Sequence, residues 1–377
     1  MRLLIVDHNP LDSSAIRSLY QKLGEMRDIE LRVVVPSEWW NNYQTLRYRE
    51  ISWGSLPTAE SRALFSTRTH RLLYRGLRGH LKTFRPDLVY VNAEPENFQS
   101  LQVALLCTRH KKPFLFSSWR NIDHRVVGYP YRLETLHRAA ERYVLSHASH
   151  GIAFSNTARE LFSGYGFEPM TVIPPPVDCS VFRTRWPEDV RLGLGLHHFT
   201  IGFAGRFVSG KGLDVLLRAA ALLRFEFQIL LIGSGPELRH MKKLAEEVGI
   251  AEKIVWTEPV EHTQMPAHIS AMDVVVLPSR SGQYWKEQFG RILIEAMASG
   301  VPVVGTDSGE IPSVIGNAGL VIEEGNSHAL AAALGRLRDD SRLRAELRQK
   351  GLDRVRARYS LDVVLDQYYR LFTSLAP

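Results

Sequence analysis

Apolar residues fall along this chain in short, nearly unbroken runs, each closed by a polar or proline-containing turn. In the first half the runs are Leu3–Asp7, Leu31–Val35, Leu88–Asn92, Pro113–Phe116, Gly151–Ser155 and Thr171–Ile173. In the second half they are Phe199–Ala204, Gln228–Ile232, Lys253–Trp256, Val274–Pro278, Val301–Gly305 and Gly319–Val321. Unbroken Val, Ile, Leu and Phe runs predict strands buried on both faces, the pattern of parallel α/β sheets. Segments of helical period lie between them, including Gly212–Leu223, Pro236–Val248 and Gln288–Ser299. The segment Ser360–Leu375 reads as an amphipathic helix with Val363, Val364, Tyr368, Leu371 and Phe372 on its apolar side.

The alternation is broken once, at Ile173-Pro174-Pro175-Pro176-Val177-Asp178, where three prolines stiffen the chain and end regular structure. The length, 377 residues, exceeds one ordinary core. The expected organisation is an α/β fold of two doubly wound, Rossmann-like domains facing a cleft. Residues 1–176 form the first, residues 177–358 the second, and residues 359–377 a final helix. Ligands of such sheets bind beyond the carboxyl ends of the strands.

Composition narrows the partners. Hydrophobic residues make up 45% and charged residues 23%, an ordinary globular mixture with no low-complexity tract. Cys107 and Cys179, with no C-x-x-C, exclude a disulfide scaffold and a cysteine zinc site and fit a reducing compartment. The N-terminal apolar run is too short for a signal peptide, and no stretch approaches the roughly 18 apolar residues of a membrane span. A cytoplasmic protein is expected, with a peripheral position on the inner face of the plasma membrane as an extension. The net charge of +7 is uneven. Residues 1–178 hold 23 Lys/Arg against 17 Asp/Glu, and the rest hold 24 against 23. An anionic partner therefore belongs to the first half, a membrane surface or an acidic acceptor. No nucleic-acid motif is present, and no nucleic-acid partner is expected.

Two motifs carry candidate chemistry. Gly202-Phe203-Ala204-Gly205-Arg206-Phe207-Val208-Ser209-Gly210-Lys211-Gly212 follows a strand and opens a helix. Its glycines let backbone approach a ligand, and Arg206 and Lys211 bring two cations to a helix N-terminus, which suits a diphosphate. The spacing is not that of a Walker loop. A turn with solvated basic residues is the bland alternative. The second motif runs from Glu287 through Phe289 and Gly290 to Glu295 and on to Val304. In one continuous helix the two glutamates would stand about 12 Å apart by rise. That exceeds the roughly 5–9.5 Å of a glycosidase carboxylate pair. They are expected to grip two parts of one long ligand, the alternative being a capping Glu287 and a salt-bridged Glu295.

With Gly233-Ser234-Gly235-Pro236 between them, these motifs resemble the retaining GT-B glycosyltransferases of family 4 (glycosyl transferases group 1), with their E-x7-E signature. The resemblance covers nearly the whole second half and is weak over residues 8–125. It implies transfer of a sugar, with retention, from a nucleotide-diphosphate donor to a glycan, lipid-linked or other hydroxyl acceptor in envelope or polysaccharide synthesis. Under it Arg206, Lys211 and Glu287 are the catalytic residues. The first two hold the diphosphate, and Glu287 takes donor-sugar hydroxyls. Gly205, Gly233 and Gly235 let the nucleotide lie against backbone. Amides near Phe289 and Gly290 face sugar and phosphate, Glu295 holds the ribose, and Trp256–Val260 borders the base. The final helix is expected to return to the first domain. No D-x-D element is present, so no metal and no other cofactor is expected.

The first half departs from the family. Where many relatives carry a paired-glycine loop after the first strand, this chain has Asp7-His8-Asn9-Pro10-Leu11-Asp12-Ser13-Ser14. His8 and Asn9 are the candidate substitutes. Where relatives often place a histidine, it has Ser117-Ser118-Trp119-Arg120-Asn121, so Ser117 and Asn121 become acceptor-side candidates and His124 reads as a loop or surface residue. Glu94, after the Leu88–Asn92 strand, is a further acceptor-side candidate, against a plain polar turn. Residues 62–85 hold seven Lys/Arg and no acidic residue, interleaved with leucines. They read as a basic amphipathic helix, either resting on an anionic membrane or packed on the sheet. Two alternatives to a transferase stay open: a nucleotide-sugar epimerase on the same fold, and a non-catalytic nucleotide-sugar-binding protein.

Overall fold

The computed structural model describes residues 1–41, 44–183 and 188–376. The chain divides into two compact units. One is Met1–Pro176 together with Leu361–Pro377, and the other is Val177–Ser360.

The first unit is built on strands β1 (Arg2–Val6), β2 (Glu30–Pro36), β3 (Glu38–Trp40), β4 (Thr45–Arg47), β5 (Thr58–Leu64), β6 (Leu73–Arg75), β7 (Leu88–Val91), β8 (Phe114–Ser118), β9 (His150–Ala153) and β10 (Met170–Val172). Eight of them form a sheet in the order β10-β9-β8-β7-β1-β2-β5-β6, and β3 and β4 form a separate antiparallel pair. Every neighbouring pair in the large sheet is parallel except β5 and β6. The unbroken apolar runs have a direct cause. Along a strand successive side chains point to opposite faces, and here both faces are covered. Leu3, Ile5, Val33, Val35 and Tyr90 join a core with Tyr368 and Phe372 of the helix Leu361–Leu375. Leu4, Val6, Val34, Val89 and Val91 join a second core with Val103, Ala104 and Val144.

The second unit has six parallel strands: β11 (Phe199–Ala204), β12 (Phe227–Ile232), β13 (Ile254–Thr257), β14 (Val274–Leu277), β15 (Val303–Thr306) and β16 (Leu320–Ile322). Their order is β13-β12-β11-β14-β15-β16. In both sheets the strand order reverses once, between β1 and β7 in the first and between β11 and β14 in the second. A doubly wound sheet leaves its crevice at that reversal, because the flanking connections leave toward opposite faces.

All twelve predicted strands are present, within two residues at each end. Two expectations need correction. The basic segment 62–85 is not one helix. Thr58–Leu64 is a strand in which Ser61 turns inward and Glu60 and Arg62 outward, and Arg62 pairs with Arg75 of β6. Gly76, at φ +93°, separates β6 from a helix of only eight residues, Leu77–Phe84. The Gln288–Ser299 helix starts later, at Arg291, because Gly290 sits at φ +84° and leaves the preceding residues in a loop. The helix Leu361–Leu375 buries Leu365 while Val363 is half-buried. No helix among the described residues is long and apolar enough to cross a membrane.

Candidate functional site

In the second unit the two sequence motifs leave the strands that flank the reversal. After β11 the chain turns through a short 3-10 helix, Ser209–Lys211, into the helix Leu213–Ala221. After β14 it runs through Pro278–Gly290 into the helix Arg291–Ala298. The two loops press together, which is why the first is rich in glycine. Gly212 is at φ +65°, and a Cβ there would collide with the Pro278 carbonyl. A Cβ on Gly210 would meet the Trp285 ring at 2.6 Å. The Arg280 amide donates to Gly210 O at 2.8 Å, and its guanidinium pairs with Asp214 at 3.1 Å.

This closeness joins the motifs. The Lys211 ammonium lies 2.7 Å from Glu287 Oε2 and 5.7 Å from the centre of the Trp285 ring. Ser279, fully buried, donates its hydroxyl to the same Glu287 oxygen at 2.6 Å. Thr306 in turn donates to Ser279 O at 2.5 Å, and the Glu310 amide donates to Glu287 O at 3.1 Å. Glu287 is thus fixed by side chain and backbone with 6% of its surface exposed. Lys211 stays more open, its side chain 21% exposed. Arg206, at the end of β11, is exposed, and its guanidinium has no ion-pair partner among the described residues.

Glu295 lies one helix turn beyond Arg291 and is paired rather than isolated. His262 Nε2 stands 3.2 Å from its Oε1 and Arg291 3.8 Å from the same atom. Phe289 is buried, its ring edge-on to Tyr359 at 5.7 Å. Gly290 caps the helix that carries Glu295. Gly233 and Gly235 are needed for a contact within the protein: a Cβ on either would strike the backbone of Gly205 or Phe207. Trp256 sits behind them, edge-on to Phe207 at 6.1 Å.

The first-unit candidates are brought to the carboxyl edge of their own sheet. Asp7 is fully buried and accepts from Asn9 N (2.8 Å), Asn9 Nδ2 (2.7 Å), Tyr20 OH (2.7 Å) and Asn92 Nδ2 (2.8 Å). Burial outweighs these bonds and raises its pKa to about 6. His8 is buried edge-on to Trp39 at 4.6 Å, and burial lowers its pKa to about 4. Ser13 caps the helix Ser14–Gly24 by accepting from the Ile16 amide. Ser117 donates to Asn92 Oδ1 at 2.6 Å, and Asn121 is buried.

Glu94 accepts from Ser118 Oγ (2.5 Å) and the Trp119 amide (2.6 Å), so it ties the loop after β7 to the loop after β8. Burial and the Glu96 charge push its pKa up to about 7, against the pull of Arg120. Beside it lies a network that sequence reasoning missed: the buried Arg120 guanidinium pairs with both Glu96 and Glu141. Burial alone would lower the Arg120 pKa, but these carboxylates hold it well above its usual range. His124 is half-buried rather than fully exposed. It opens the helix His124–Val127, stands 3.8 Å from Glu96, and burial lowers its pKa to about 4.

Ser279, Trp285, Arg280 and His262 also went unnoticed in the sequence. Ser279 alone left a trace there, as a polar residue at the end of a strand. Among the described residues no group of three or more His, Cys, Asp or Glu is arranged to hold a metal ion.

Residues 185–354 match the family described as Glycosyl transferases group 1, and residues 14–181 match Glycosyltransferase Family 4. The D-inositol 3-phosphate glycosyltransferase of Acidothermus cellulolyticus is 32% identical over 212 residues, 50% of this chain and 45% of that protein. The GDP-mannose-dependent alpha-(1-6)-phosphatidylinositol monomannoside mannosyltransferase of Mycolicibacterium smegmatis is 33% identical over 188 residues, 46% of this chain and 48% of that one. The chain spans about half the length of the curated relatives it matches. The crystal structure of Anabaena HepE in complex with UDP superposes with a TM-score of 0.78 at 19% identity, covering 99% of this chain and 100% of that one. At that identity the likeness is one of fold. Two parallel α/β sheets, motifs joined where the second reverses, and family matches to both units give one conclusion: the chain belongs to the group 1, family 4 glycosyltransferases and has their GT-B fold.

Proposed function

We propose that the protein transfers a sugar, with retention at the anomeric carbon, from a nucleoside diphosphate sugar to a hydroxyl acceptor. The observation that carries the reading is the Lys211–Glu287 pair buttressed by Ser279 at the sheet reversal. A half-open ammonium tied to a nearly buried carboxylate can change partners. An arriving diphosphate competes for Lys211, and Glu287 then accepts from the donor sugar's hydroxyls. Arg206, exposed on the neighbouring loop, adds a planar fork suited to phosphate oxygens. When the bond from the anomeric carbon to the phosphate oxygen breaks, negative charge grows on the leaving diphosphate and positive charge on the sugar. The cations meet the first and Glu287 the second, an electrostatic arrangement that is set before reaction.

Glu295, oriented by His262, takes the ribose hydroxyls, and the amides at the start of its helix meet the sugar and phosphates. Two cations and a helix terminus do here what a metal ion does elsewhere, so transfer is metal-independent. The acceptor is a glycan or lipid-linked hydroxyl. In support, the named relatives include an inositol 3-phosphate glycosyltransferase and a phosphatidylinositol monomannoside mannosyltransferase.

The test is product analysis with a panel of nucleoside diphosphate sugars, with and without hydroxyl acceptors, in excess EDTA. Acceptor-dependent release of nucleoside diphosphate, with the donor's anomeric configuration kept in the product, is expected. Conversion of donor alone to an epimer would make the protein an epimerase. Binding without turnover in every combination would make it a binding protein. Activity lost in EDTA and restored by Mg²⁺ would overturn metal independence.

A further inference from the structure

Eleven large apolar side chains are exposed among the described residues, and six of them lie on or beside two neighbouring loop regions of the first unit: Trp40 ends β3, Leu64 ends β5 and Phe65 follows it, while Val126 lies in the helix His124–Val127, Leu133 precedes the helix Glu134–His147 and Leu136 is in its first turn. The loops are physically joined. The Trp40 amide donates to Ser66 O at 3.1 Å, and Trp39 Nε1 to Thr69 Oγ1 at 2.9 Å. The His70 and Tyr131 rings stack at 4.4 Å, and Arg71 donates to Arg132 O at 3.3 Å. β5 runs parallel to β2 and β8 parallel to β7, so both loops leave the carboxyl edge of the sheet.

The tips of these loops are held against local preference. Only four non-glycine residues among those described have positive φ, and Phe65 (φ 60°) and Leu133 (φ 69°) are two of them. A large side chain in the left-handed region costs about 1–3 kcal/mol, and it persists where the surrounding structure enforces it. Here it points no side chain into a core: Phe65 is 62% exposed and Leu133 50%. The surroundings carry a basic excess: Arg62, Arg68 and Arg132 are exposed beside the apolar tips, while of the nearby carboxylates Glu38 accepts from Ser66 at 3.0 Å and Glu134 is paired with Arg138 at 2.7 Å.

Apolar tips ringed by arginines match the interface of an anionic bilayer, where ring and alkyl groups enter the acyl boundary and guanidinium forks meet lipid phosphates. We propose that this face, and not a basic helix over residues 62–85, docks the protein on an anionic lipid surface, with Phe65 and Leu133 inserted and Arg68 and Arg132 at the headgroups. The proposal stands apart from the transfer reaction, since none of these residues belongs to the donor site.

The test is co-sedimentation of the full chain with phosphatidylcholine vesicles with and without phosphatidylglycerol. Wild type should bind only the anionic vesicles, and less as salt rises. Arg68→Glu with Arg132→Glu should weaken binding by about a hundredfold or more at low salt. Phe65→Asn with Leu133→Asn removes no charge and should still weaken binding by about tenfold or more. Asparagine tolerates positive φ, so this variant should melt at or above the wild-type temperature, and nucleoside diphosphate binding measured by calorimetry should be unchanged. Wild type that ignores anionic vesicles at low salt would overturn the proposal. Vesicle binding untouched by the asparagine pair would overturn insertion. A concentration-dependent dimer abolished by that pair would make the face a homotypic interface instead.

Discussion

At the carboxyl edge of β11 and β14 the charged groups are half open: Arg206 is exposed, and Lys211 reaches a buttressed Glu287 from a partly exposed position. At the carboxyl edge of β7 and β8 they are interior: Arg120 pairs with Glu96 and Glu141 with almost no surface, and Glu94 is spent on binding two loops together. The same topology thus ends in charges available to a ligand in one unit and in charges that hold loops in the other. Position at a strand end therefore does not by itself mark a binding residue. What separates the two cases is whether the group's partner can be exchanged.

Breaking the interior network should have the larger effect, and on stability. Arg120→Met leaves Glu96 buried without its arginine and Glu141 with Arg125 alone, at 3.5 Å, a change of the kind that typically costs about 3–5 kcal/mol. Denaturant unfolding should show a loss of that size. A loss under about 1 kcal/mol would mean that the carboxylates simply take up protons and that the network holds little.

Breaking the open pair should act on turnover. Lys211→Ala and Arg206→Ala should each lower kcat by about 10²-fold or more, the usual scale for one electrostatic contact made in a transition state. Arg206→Ala should melt like wild type, because its side chain supports nothing. Lys211→Ala should melt lower, because Glu287 loses a partner. Wild-type kinetics in both would remove the donor assignment from this edge.

The smallest effect sharpens the contrast through pH. The carboxyl of Glu94 is raised in the folded protein to about 7. The folded state therefore holds that proton more tightly than the unfolded chain, and this contribution to stability is present at low pH and lost as pH rises toward 7. Relative to Glu94→Gln, which cannot titrate, wild type should lose about 2 kcal/mol of unfolding free energy between pH 5 and pH 7. Parallel curves would show that Glu94 stays ionised.

Much of this was legible in the sequence where one local signal sufficed. The strands β11 to β16 are buried on both faces, so their sequences are unbroken apolar runs. Arg206, Lys211, Glu287 and Glu295 lie in two compact motifs. The strands β5 and β6 were missed because they are the last two at one end of the sheet, where Thr58–Leu64 buries only Ser61 and Leu73–Arg75 is too short for any period. Ser279, Trp285 and His262 were missed because each acts on a residue distant in sequence, and only the press of one loop on another brings them together. The basic run 62–85 misled because charge composition is blind to Gly76, whose backbone splits it.

The helix Leu361–Leu375 packs Val364, Tyr368 and Phe372 into the core that contains β1, yet the whole second unit is encoded between them. During synthesis β1 leaves the ribosome before the second unit, while one face of its sheet must wait for the helix Leu361–Leu375, which is made after that unit. A domain that ordinarily folds as soon as it emerges is here begun before its neighbour and completed after it. Until then Leu3, Ile5 and Tyr90 lack their final cover, and transiently exposed apolar surface of this kind is what chaperones shield.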